Sequence, residues 1–424
     1  MAVVDSTVTE SDVEGAARLI AGRVRETPLL AAGELSRRLG ARVLLKAENL
    51  QLTGSFKTRG AFNAVARLPE RVLGRGVVAA SAGNHAQAVA FAARAVGAKA
   101  TLVMPAAAPL AKVTAVRQYG GDVRLVEGGY DEAGKAAAQI AEEEGKTVVH
   151  AFDQPEVVAG QGTVGLELAR DVPDLAVVVV PLGGGGLASG IGVALAEHLP
   201  SARVVGVQSE ACAPYPASLE AHAPLVQGES PRDSPFAVTR TATSTICDGI
   251  AVKRPGDITL PLVDRYVHEV VTVSDDEVAE AMVLLLERSK LVVEGAGAVG
   301  VAAVMHGKVE APPSGQLCAV LSGGNVDASL LAECMRMGET AAGRRMVLST
   351  VVPDRPGALA RLLAVVAGCG GNVVDVEHLR DGIDLHVRET AIKLVLQTRG
   401  AENGREILDA VGAEGFSGRV DRDA

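Results

Sequence analysis

Short apolar runs alternate with Ala- and Leu-rich stretches from about residue 42 to residue 327. The runs predict buried strands at residues 77–80, 101–104, 123–126, 177–180, 204–207 and 318–321. Strands separated by helices, such as the helix predicted over 86–96, are typical of parallel sheets buried on both faces. Ligands of such α/β folds bind at the carboxyl ends of strands, which is where Ser81, Gly183 and Ser322 stand.

The pattern of apolar and polar residues changes after residue 337. Residues 338–345 are small, polar and basic, and they predict a linker. Beyond them the pattern predicts strands at 346–352, 373–379 and 391–397, helices at 358–367 and 404–411, a turn at Asp381 and Gly382, and a last short strand. That βαββαβ order predicts an α+β domain over 346–424. It follows a first domain over 1–337, whose smaller lobe is expected at about 50–155.

Composition and charge favour a protein that binds small molecules. Hydrophobic residues make up 48% of the 424 residues, enough for two or three domains with ample core. Trp is absent and aromatic residues make up 2%, so a base-stacking platform is not expected. The net charge of −10, without a basic block, argues against nucleic acid and anionic membrane partners.

The same sequence favours a cytoplasmic location. The five cysteines are scattered without zinc-ligand or redox spacing, which is typical of a reducing compartment, and no metal site is predicted. Residues 1–13 lack the basic start and apolar core of a signal peptide. The uncharged residues 175–196 are long enough to span a bilayer. However, Pro181 and the glycines divide them into a predicted strand, loop and helix.

The candidate chemistry centres on Lys57, in the run GSFKTRG of residues 54–60. Most lysines are solvated surface charges. A lysine amine in a partly apolar pocket instead loses proton affinity and can form a Schiff base with a carbonyl. Two further segments, 81–87 (SAGNHAQ) and 183–186 (GGGG), have the composition of loops that bind an anion through backbone amides. One amine and two anion loops together indicate pyridoxal phosphate.

Four segments together resemble the threonine dehydratase family, within the fold-type II (tryptophan synthase β-like) enzymes that use pyridoxal 5'-phosphate. They are residues 46–60 (KAENLQLTGSFKTRG), 81–87, 183–187 (GGGGL) and 322–325 (SGGN). The resemblance covers about residues 15–340 and implies two parallel-sheet lobes. It also implies β-elimination of L-threonine to 2-oxobutanoate and ammonia, with L-serine as a secondary substrate that gives pyruvate.

The resemblance implies a role for particular residues. Lys57 is expected to carry the cofactor and to remove the α-proton, Phe56 to pack beside the ring, and Ser322 to face the pyridine nitrogen. A hydroxyl at Ser322 leaves the ring largely neutral, which suits β-elimination. The phosphate is expected on the backbone amides of Gly183, Gly184, Gly185, Gly186 and Leu187. The substrate carboxylate is expected at Ser81, Ala82, Gly83, Asn84 and His85, with Asn84 also bonded to the ring hydroxyl.

Two rival activities are disfavoured. Serine racemase shares the fold, but the resemblance places its second proton donor at Ala82, which has no proton to move. Its acidic metal ligand corresponds to Gln208. The run GAGAVG at residues 295–300 fits a dinucleotide motif but lacks an acidic residue about 20 positions later. Glu294, just before that run, resembles a position that lines the cofactor, although structural packing explains it equally well.

The C-terminal segment resembles an ACT domain, a module that binds small amino acids where two copies pair. The resemblance rests on residues 350–359 (TVVPDRPGAL) and on Gly371 and Asn372. It implies a homo-oligomer, dimer or tetramer, with isoleucine or valine as effector. The effector is expected at Asp354, Gly357, Ala358, Leu359 and Asn372, the last from a facing turn. Three alternatives stay open: a purely structural pair, a catabolic enzyme, and a sensor without catalysis, which the presence of Lys57 disfavours.

Overall fold

The chain divides into two compact units, Met1–Asp327 and Ala328–Ala424. A computed structural model describes residues 8–226, 244–380 and 385–421. The turn predicted at Asp381 and Gly382 lies outside these ranges.

The first unit contains two sheets. Its strands are β1 Leu29–Ala31, β2 Arg42–Lys46, β3 Val77–Ala80, β4 Ala100–Pro105, β5 Asp122–Val126, β6 Thr147–Val148, β7 Leu175–Pro181, β8 Arg203–Ser209, β9 Glu269–Val273 and β10 Gln316–Val320. The larger sheet has the order β1-β2-β10-β7-β8-β9 and is parallel except for the edge pair β1–β2. The smaller sheet has the order β5-β4-β3-β6, with every pairing parallel. The two predicted parallel-sheet lobes are confirmed.

Helices cover these sheets. They are α1 Glu10–Ile20, α2 Gly33–Leu39, α3 Lys57–Ala66, α4 Glu70–Leu73, α5 Asn84–Ala95, α6 Leu110–Gln118, α7 Tyr130–Glu144, α8 Pro155–Asp171, α9 Gly186–His198, α10 Tyr215–Val226, α11 Thr259–Tyr266, α12 Asp275–Leu284 and α13 Gly295–Met305. Short 3-10 turns form at Glu48–Leu50 and Asp248–Ile250, and a π-helical turn at Leu285–Ser289. Local sequence sets several starts: Thr9 and Ser274 cap α1 and α12 with their hydroxyls, and Pro155 occupies the first turn of α8.

The uncharged stretch 175–196 forms β7, a glycine loop and most of α9, as its sequence predicts. It is buried in the larger lobe because β7 lies between two other strands. Across the part of the chain that the structure describes, no helix combines the length and apolarity needed to cross a bilayer.

Helix α8 contributes to the cores of both lobes. Near its start, Val157 packs in the small-lobe core with Val77 and Leu102. Near its end, Val164 and Leu168 pack in the large-lobe core. The two hydrophobic cores therefore share one helix.

Helices α3 and α8 approach each other at two glycines. A Cβ added to Gly160 would lie 2.6 Å from the Cα of Gly60, and one added to Gly60 would lie 2.7 Å from the backbone oxygen of Val157. No real Cβ tolerates such distances, so the two backbones are in direct contact. This contact fixes the position of α3, the helix that begins with Lys57.

A buried ion network holds the same helix. The guanidinium of Arg59 donates to Glu48 at 2.8 and 2.9 Å and to Glu167 at 2.5 and 3.0 Å. Lys46 donates to Glu167 at 2.5 Å and to the backbone oxygen of Thr27 at 2.7 Å. All four charged side chains are buried. Because each has an opposite charge within hydrogen-bond distance, the cost of removing them from water is largely offset.

The second unit has the βαββαβ order that the sequence predicts. After α14 Ala328–Ala341 come β11 Arg345–Pro353, α15 Ala358–Gly368, β12 Asn372–Leu379, β13 Glu389–Gln397, α16 Ala401–Ala413 and β14 Ser417–Val420. The strands form an antiparallel sheet of order β12-β13-β11-β14. Leu362, Val366, Leu394 and Ile407 are among the residues that fill the core between this sheet and its two helices.

The boundary between the units differs from the sequence expectation. The predicted linker 338–345 overlaps the last turn of α14 and the first residue of β11. The division falls after Asp327 rather than after residue 337. Small and polar residues suit an exposed helix turn as well as a linker, so their composition alone did not reveal the helix.

We expect Arg59→Met to destabilise the first unit severely. The substitution leaves Glu48 and Glu167 buried without their main counter-charge, which costs about 3–5 kcal/mol. Urea unfolding of the cofactor-free protein, followed by circular dichroism, measures the loss. Arg254→Met removes an exposed pair with Asp257 and serves as the control, with little expected effect. Equal effects of the two substitutions would contradict the role given to Arg59.

Candidate active site

Lys57 lies at the junction of the two lobes, at the first position of α3. Its Nζ donates a hydrogen bond of 2.7 Å to the backbone oxygen of Ala151 and lies 5.1 Å from the ring centroid of Phe56. Burial lowers the pKa of Lys57 to about 8, although the nearby Glu294 opposes the shift. The amine is therefore much more nucleophilic at neutral pH than a surface lysine.

The loops that contain Lys57 and Ser322 are joined by backbone hydrogen bonds. The amide of Phe56 donates to the oxygen of Ser322 at 3.0 Å, and the amide of Gly324 donates to Gly54 at 2.9 Å. Ser55 and Gly323 form an isolated bridge between them. Ser322 is buried, and its Oγ has a long contact of 3.5 Å with the backbone oxygen of Ala296. The structure thus brings together two of the predicted segments.

The glycine loop follows β7 and leads into α9. A Cβ on Gly184 would lie 2.3 Å from the Phe152 ring, and one on Gly186 would lie 3.0 Å from the Phe152 backbone oxygen. Gly185 has a φ of +97°, a backbone conformation that residues with a side chain rarely adopt. Its added Cβ would also lie 2.1 Å from the Tyr215 hydroxyl. Only glycine fits this loop, whose amides lie at a helix N-terminus suited to an anion.

Residues that the sequence analysis missed hold this loop in place. The Gly184 oxygen accepts hydrogen bonds from Thr259 at 2.6 Å and from Tyr215 at 3.1 Å. Asp153 caps the start of α11 by accepting from the amides of residues 257, 258 and 259. Gln208 accepts from the amide of Tyr215 at 3.0 Å and donates to the Leu182 oxygen at 3.2 Å. Both the oxygen and the nitrogen of the Gln208 amide therefore have protein partners. Gln208 is the residue that corresponds to the acidic metal ligand of serine racemase.

The segment 81–85 lies between β3 and α5. Ser81 accepts a bond of 3.1 Å from the amide of Gly83, and Ala82 packs at the edge of the small-lobe core. His85 is buried and bonded through Nε2 to the Val149 oxygen at 2.8 Å. Burial and repulsion from Lys57 lower the pKa of His85 to about 3, so it stays neutral. A proton-transfer role for His85 is therefore not supported.

Asn84, at the first position of α5, meets two side chains from the larger lobe. Its Nδ2 donates to Glu294 at 2.7 Å, and its Oδ1 accepts from Asn325 at 2.7 Å. Glu294 is buried directly before α13. Burial raises the pKa of Glu294 to about 7, and repulsion from Asp248 adds to the shift. The sequence alone explained Glu294 equally well by structural packing. The structure places Glu294 in contact with Asn84, a predicted site residue.

These groups fit a cofactor that carries an aldehyde and a phosphate. The amine of Lys57 suits the aldehyde, and the glycine loop suits the phosphate. Two buried polar atoms, Ser55 Oγ and His85 Nδ1, have no hydrogen-bond partner among the described residues. Buried polar atoms are rarely left unpaired, so they are consistent with a polar ligand here.

Comparison with known proteins identifies the cofactor. Residues 20–323 match the family described as pyridoxal-phosphate dependent enzymes. The chain belongs to this family. Its cofactor is pyridoxal phosphate, as the sequence predicted.

Individual relatives of this pyridoxal-phosphate enzyme share most of its length. The L-threonine ammonia-lyase of Thermotoga maritima is 44% identical over 97% of this chain and 99% of its own. The catabolic L-threonine dehydratase of Escherichia coli K12 is 39% identical over 78% of this chain and 96% of its own. Among solved structures, maize serine racemase superposes with a TM-score of 0.71 at 32% identity, covering 78% of this chain and 97% of that one.

The predicted effector residues of the C-terminal unit differ in how exposed they are. Gly357 precedes α15 with a φ of +87°, Ala358 is buried and Leu359 packs against the core. Ala358 is therefore closed to a ligand, and Leu359 is partly covered. The Asp354 carboxylate accepts two hydrogen bonds from Arg380, at 3.0 and 3.1 Å.

Within one copy, Asn372 lies at the opposite end of the sheet from the loop that begins at Asp354. Asn372 is paired with Gln397, which is also opposite Arg345 at the start of β11. Asp354 follows Pro353, at the other end of β11. A β-sheet keeps opposite ends of its strands apart, so one chain does not assemble this set of residues.

We expect Gly184→Ala to weaken cofactor binding at least ~10-fold, equivalent to about 1.4 kcal/mol. The new methyl group would meet the Phe152 ring and displace the loop. Fluorescence titration of the cofactor-free protein with pyridoxal phosphate measures the dissociation constant. Gly134→Ala is the matched control, because nothing lies within 4 Å of its added Cβ. Unchanged affinity in Gly184→Ala would remove the loop from the cofactor site.

We expect the rate of cofactor attachment to rise with pH, with a midpoint near pH 8, and to level off above that pH. Only the neutral amine attacks an aldehyde, and burial lowers the pKa of Lys57 to about 8, so the amine is mostly neutral above that pH. Stopped-flow absorbance after mixing cofactor-free protein with limiting pyridoxal phosphate gives the rate. A rate that continues to climb beyond pH 9.5 would indicate a lysine with an ordinary pKa.

Proposed function

We propose that the enzyme is a threonine ammonia-lyase that converts L-threonine to 2-oxobutanoate and ammonia. We include L-serine as a slower substrate that gives pyruvate. The observation that carries the proposal is the Lys57 amine bonded to Ala151, since the next residue, Phe152, packs against a glycine loop that fits a phosphate. The Thermotoga maritima relative, named for the same reaction and matched over nearly its full length, supports the choice of substrate.

Lys57 would act as the base. Bound pyridoxal phosphate supplies an electron sink for the pair left when a proton leaves the substrate α-carbon. Lys57 Nζ accepts that proton, which breaks the Cα–H bond and leaves the amine as an ammonium. A pKa near 8 suits this role, because general bases work best when their pKa is near the working pH.

The surrounding residues would orient the substrate and select elimination. The substrate carboxylate would bind the amides and the Ser81 hydroxyl of segment 81–85, before the N-terminus of α5. Ser322 would face the pyridine nitrogen with a neutral group, which limits the electron sink. The methyl side chain of Ala82 has no acidic proton, so it cannot return a proton to the opposite face of the α-carbon. These features favour elimination over the racemase alternative suggested by the maize structure.

The C-terminal unit would act as an ACT-type regulatory domain. Its βαββαβ order and the Gly357 amide at the start of α15 suit the recognition of an amino-acid carboxylate. The edge strand β12 leaves Val374 64% exposed and could pair with a second copy. Antiparallel pairing of two β12 strands would bring Asn372 of one copy towards the 354–357 loop of the other. The proposed effector site therefore needs two copies.

We place the enzyme at the first step of isoleucine biosynthesis, as a cytoplasmic homo-oligomer that isoleucine or valine inhibits. A catabolic threonine and serine dehydratase is the second candidate, since the Escherichia coli relative is named as catabolic. That relative matches only 78% of this chain, whereas the Thermotoga maritima relative matches 97%. The longer match includes the C-terminal unit, and the sensing of an end product proposed for that unit favours the biosynthetic assignment.

The protein should release 2-oxobutanoate from L-threonine, as measured by a direct 2-oxoacid assay. Lys57→Ala should lower turnover about 10²–10⁴-fold, because the general base is lost. Borohydride should fix the cofactor on the peptide that contains Lys57. Lys135→Ala, at an exposed helix position, is the control.

Three results would count against this assignment. The first is absence of oxoacid from both L-threonine and L-serine. The second is cofactor recovered on another lysine. The third is substantial D-serine in the unreacted substrate, which would contradict the role given to Ala82.

Isoleucine or valine should shift the apparent KM for threonine by about 5- to 150-fold, the usual range for allosteric coupling of ~1–3 kcal/mol. Gly357→Ala and Asn372→Ala should each abolish the response. Oligomers assembled from a mixture of the two variants should regain part of it, because one of two paired sites then has both native residues. Gly412→Ala, with open space at its added Cβ, is the control. Full response in both variants would exclude this site.

A further inference from the structure

The side-chain amide of Asn84 has a fixed orientation. Its Oδ1 accepts from Asn325 Nδ2, and its own Nδ2 donates to Glu294 Oε1, both at 2.7 Å. An amide has two donor hydrogens on nitrogen and one acceptor oxygen. After these two bonds, the nitrogen of Asn84 retains one hydrogen. Asn84 can therefore offer a bound ligand a donor.

Asn325 determines which way the Asn84 amide points. Asn325 Nδ2 also donates to the backbone oxygen of Thr53 at 2.9 Å. Since a carbonyl oxygen only accepts hydrogen bonds, the nitrogen of Asn325 has to face Thr53 and Asn84. Gly54 makes room for this arrangement, because its added Cβ would lie 2.4 Å from Asn325 Oδ1. Asn325 therefore donates to Asn84, and Asn84 donates to Glu294.

Glu294 is the acceptor at the end of this chain. It also accepts a hydrogen bond from the backbone amide of Asn325. The charges near it come from both lobes: Asp248 follows Cys247 in the larger lobe, and Lys112 lies on α6 of the smaller lobe. Lys112 donates to Asp248 at 2.7 Å, so an ion pair joins the lobes beside Glu294. Among the described residues, the Lys57 amine also interacts with Glu294, as does the Cys247 thiol, whose pKa burial raises to about 12.

We propose that Glu294 and Asn325 are positioning residues that make Asn84 a hydrogen-bond donor to the ring oxygen of the cofactor. The Lys112–Asp248 pair tunes this arrangement through the charge of Glu294. A donor stabilises the deprotonated ring oxygen, whereas a flipped amide would present an oxygen and repel it. The inference rests on the proposed function, and on the contact between Asn84 and the ring hydroxyl that the family resemblance implies.

The titration of Glu294 gives this arrangement a pH dependence. Burial and Asp248 raise the pKa of Glu294 to about 7, while the Asn84 bond and Lys112 lower it. Above pH 7 the ionised carboxylate is a strong acceptor and holds the Asn84 amide firmly. Below pH 7 the protonated carboxyl is a weaker acceptor, and its hold on Asn84 weakens.

The test is a pH titration of the visible absorption of the holoenzyme, which reports the protonation of the bound cofactor. The wild-type spectrum should change with a midpoint near pH 7. Glu294→Gln keeps an acceptor without a titrating group and should remove that transition. Asp248→Asn should move the midpoint to lower pH and Lys112→Met should move it to higher pH. Opposite shifts are not expected from a structural defect, and two shifts of the same sign would overturn the proposal.

Cofactor affinity gives a second readout that does not depend on activity. Glu294→Leu and Asn325→Asp should each weaken pyridoxal phosphate binding by roughly 10- to 100-fold, the range for a hydrogen bond to a charged group. Glu294→Gln should stay within about threefold of wild type, because the orientation of Asn84 is retained. Melting temperatures of the cofactor-free variants check that each one folds.

Asn84→Ala separates this inference from the proposed function. If Asn84→Ala leaves cofactor affinity and spectrum unchanged, the contact with the ring oxygen is wrong and the proposed site assignment fails. If Asn84→Ala weakens binding but Glu294→Leu and Asn325→Asp do not, only the positioning role fails. If the Asn84→Ala and Glu294→Leu effects add fully in the double variant, the two residues act independently and the proposal is also wrong.

Discussion

The arrangement of the active site depends on the buried charge of Arg59. This guanidinium is two residues beyond Lys57, and its carboxylate partners come from the turn after β2 and from α8. An unpaired charge in this position would be too costly to bury, so the three elements have to meet with their hydrogen bonds complete. That requirement fixes the first turn of α3 and thereby the direction in which Lys57 leaves the backbone.

The glycine loop is shaped mainly by its neighbours. Four glycines in a row have little intrinsic preference for one conformation. Here the Phe152 ring and the Tyr215 hydroxyl occupy the space that side chains would take, and Thr259 holds the Gly184 oxygen. The absence of side chains lets the loop backbone lie close to Phe152 and Tyr215. In the folded protein these two aromatic residues then restrict the conformation of the loop.

Sequence predicted the features that depend on local pattern. The valine run of β7 and the alternation of strands and helices gave both parallel-sheet lobes, because continuous β-branched runs have few other uses. Tyr215, Thr259 and the contact between Asn84 and Glu294 were not predictable in this way. Their partners are distant in the chain, and no local pattern links one residue of such a pair to the other. The end of α14 was missed for a related reason, since its small polar residues are compatible with both a helix and a linker.

Helix α8 limits how the two lobes can move. Its first turns belong to one core and its last turns to the other, and it touches α3 through bare backbone at Gly60 and Gly160. Backbones in direct contact have no side chains that could slide or repack. A separation of the lobes at this point would open a gap between the two helices. A change in the angle between the lobes is therefore expected to be a rotation about α8, with the largest displacements at the far edges of the lobes.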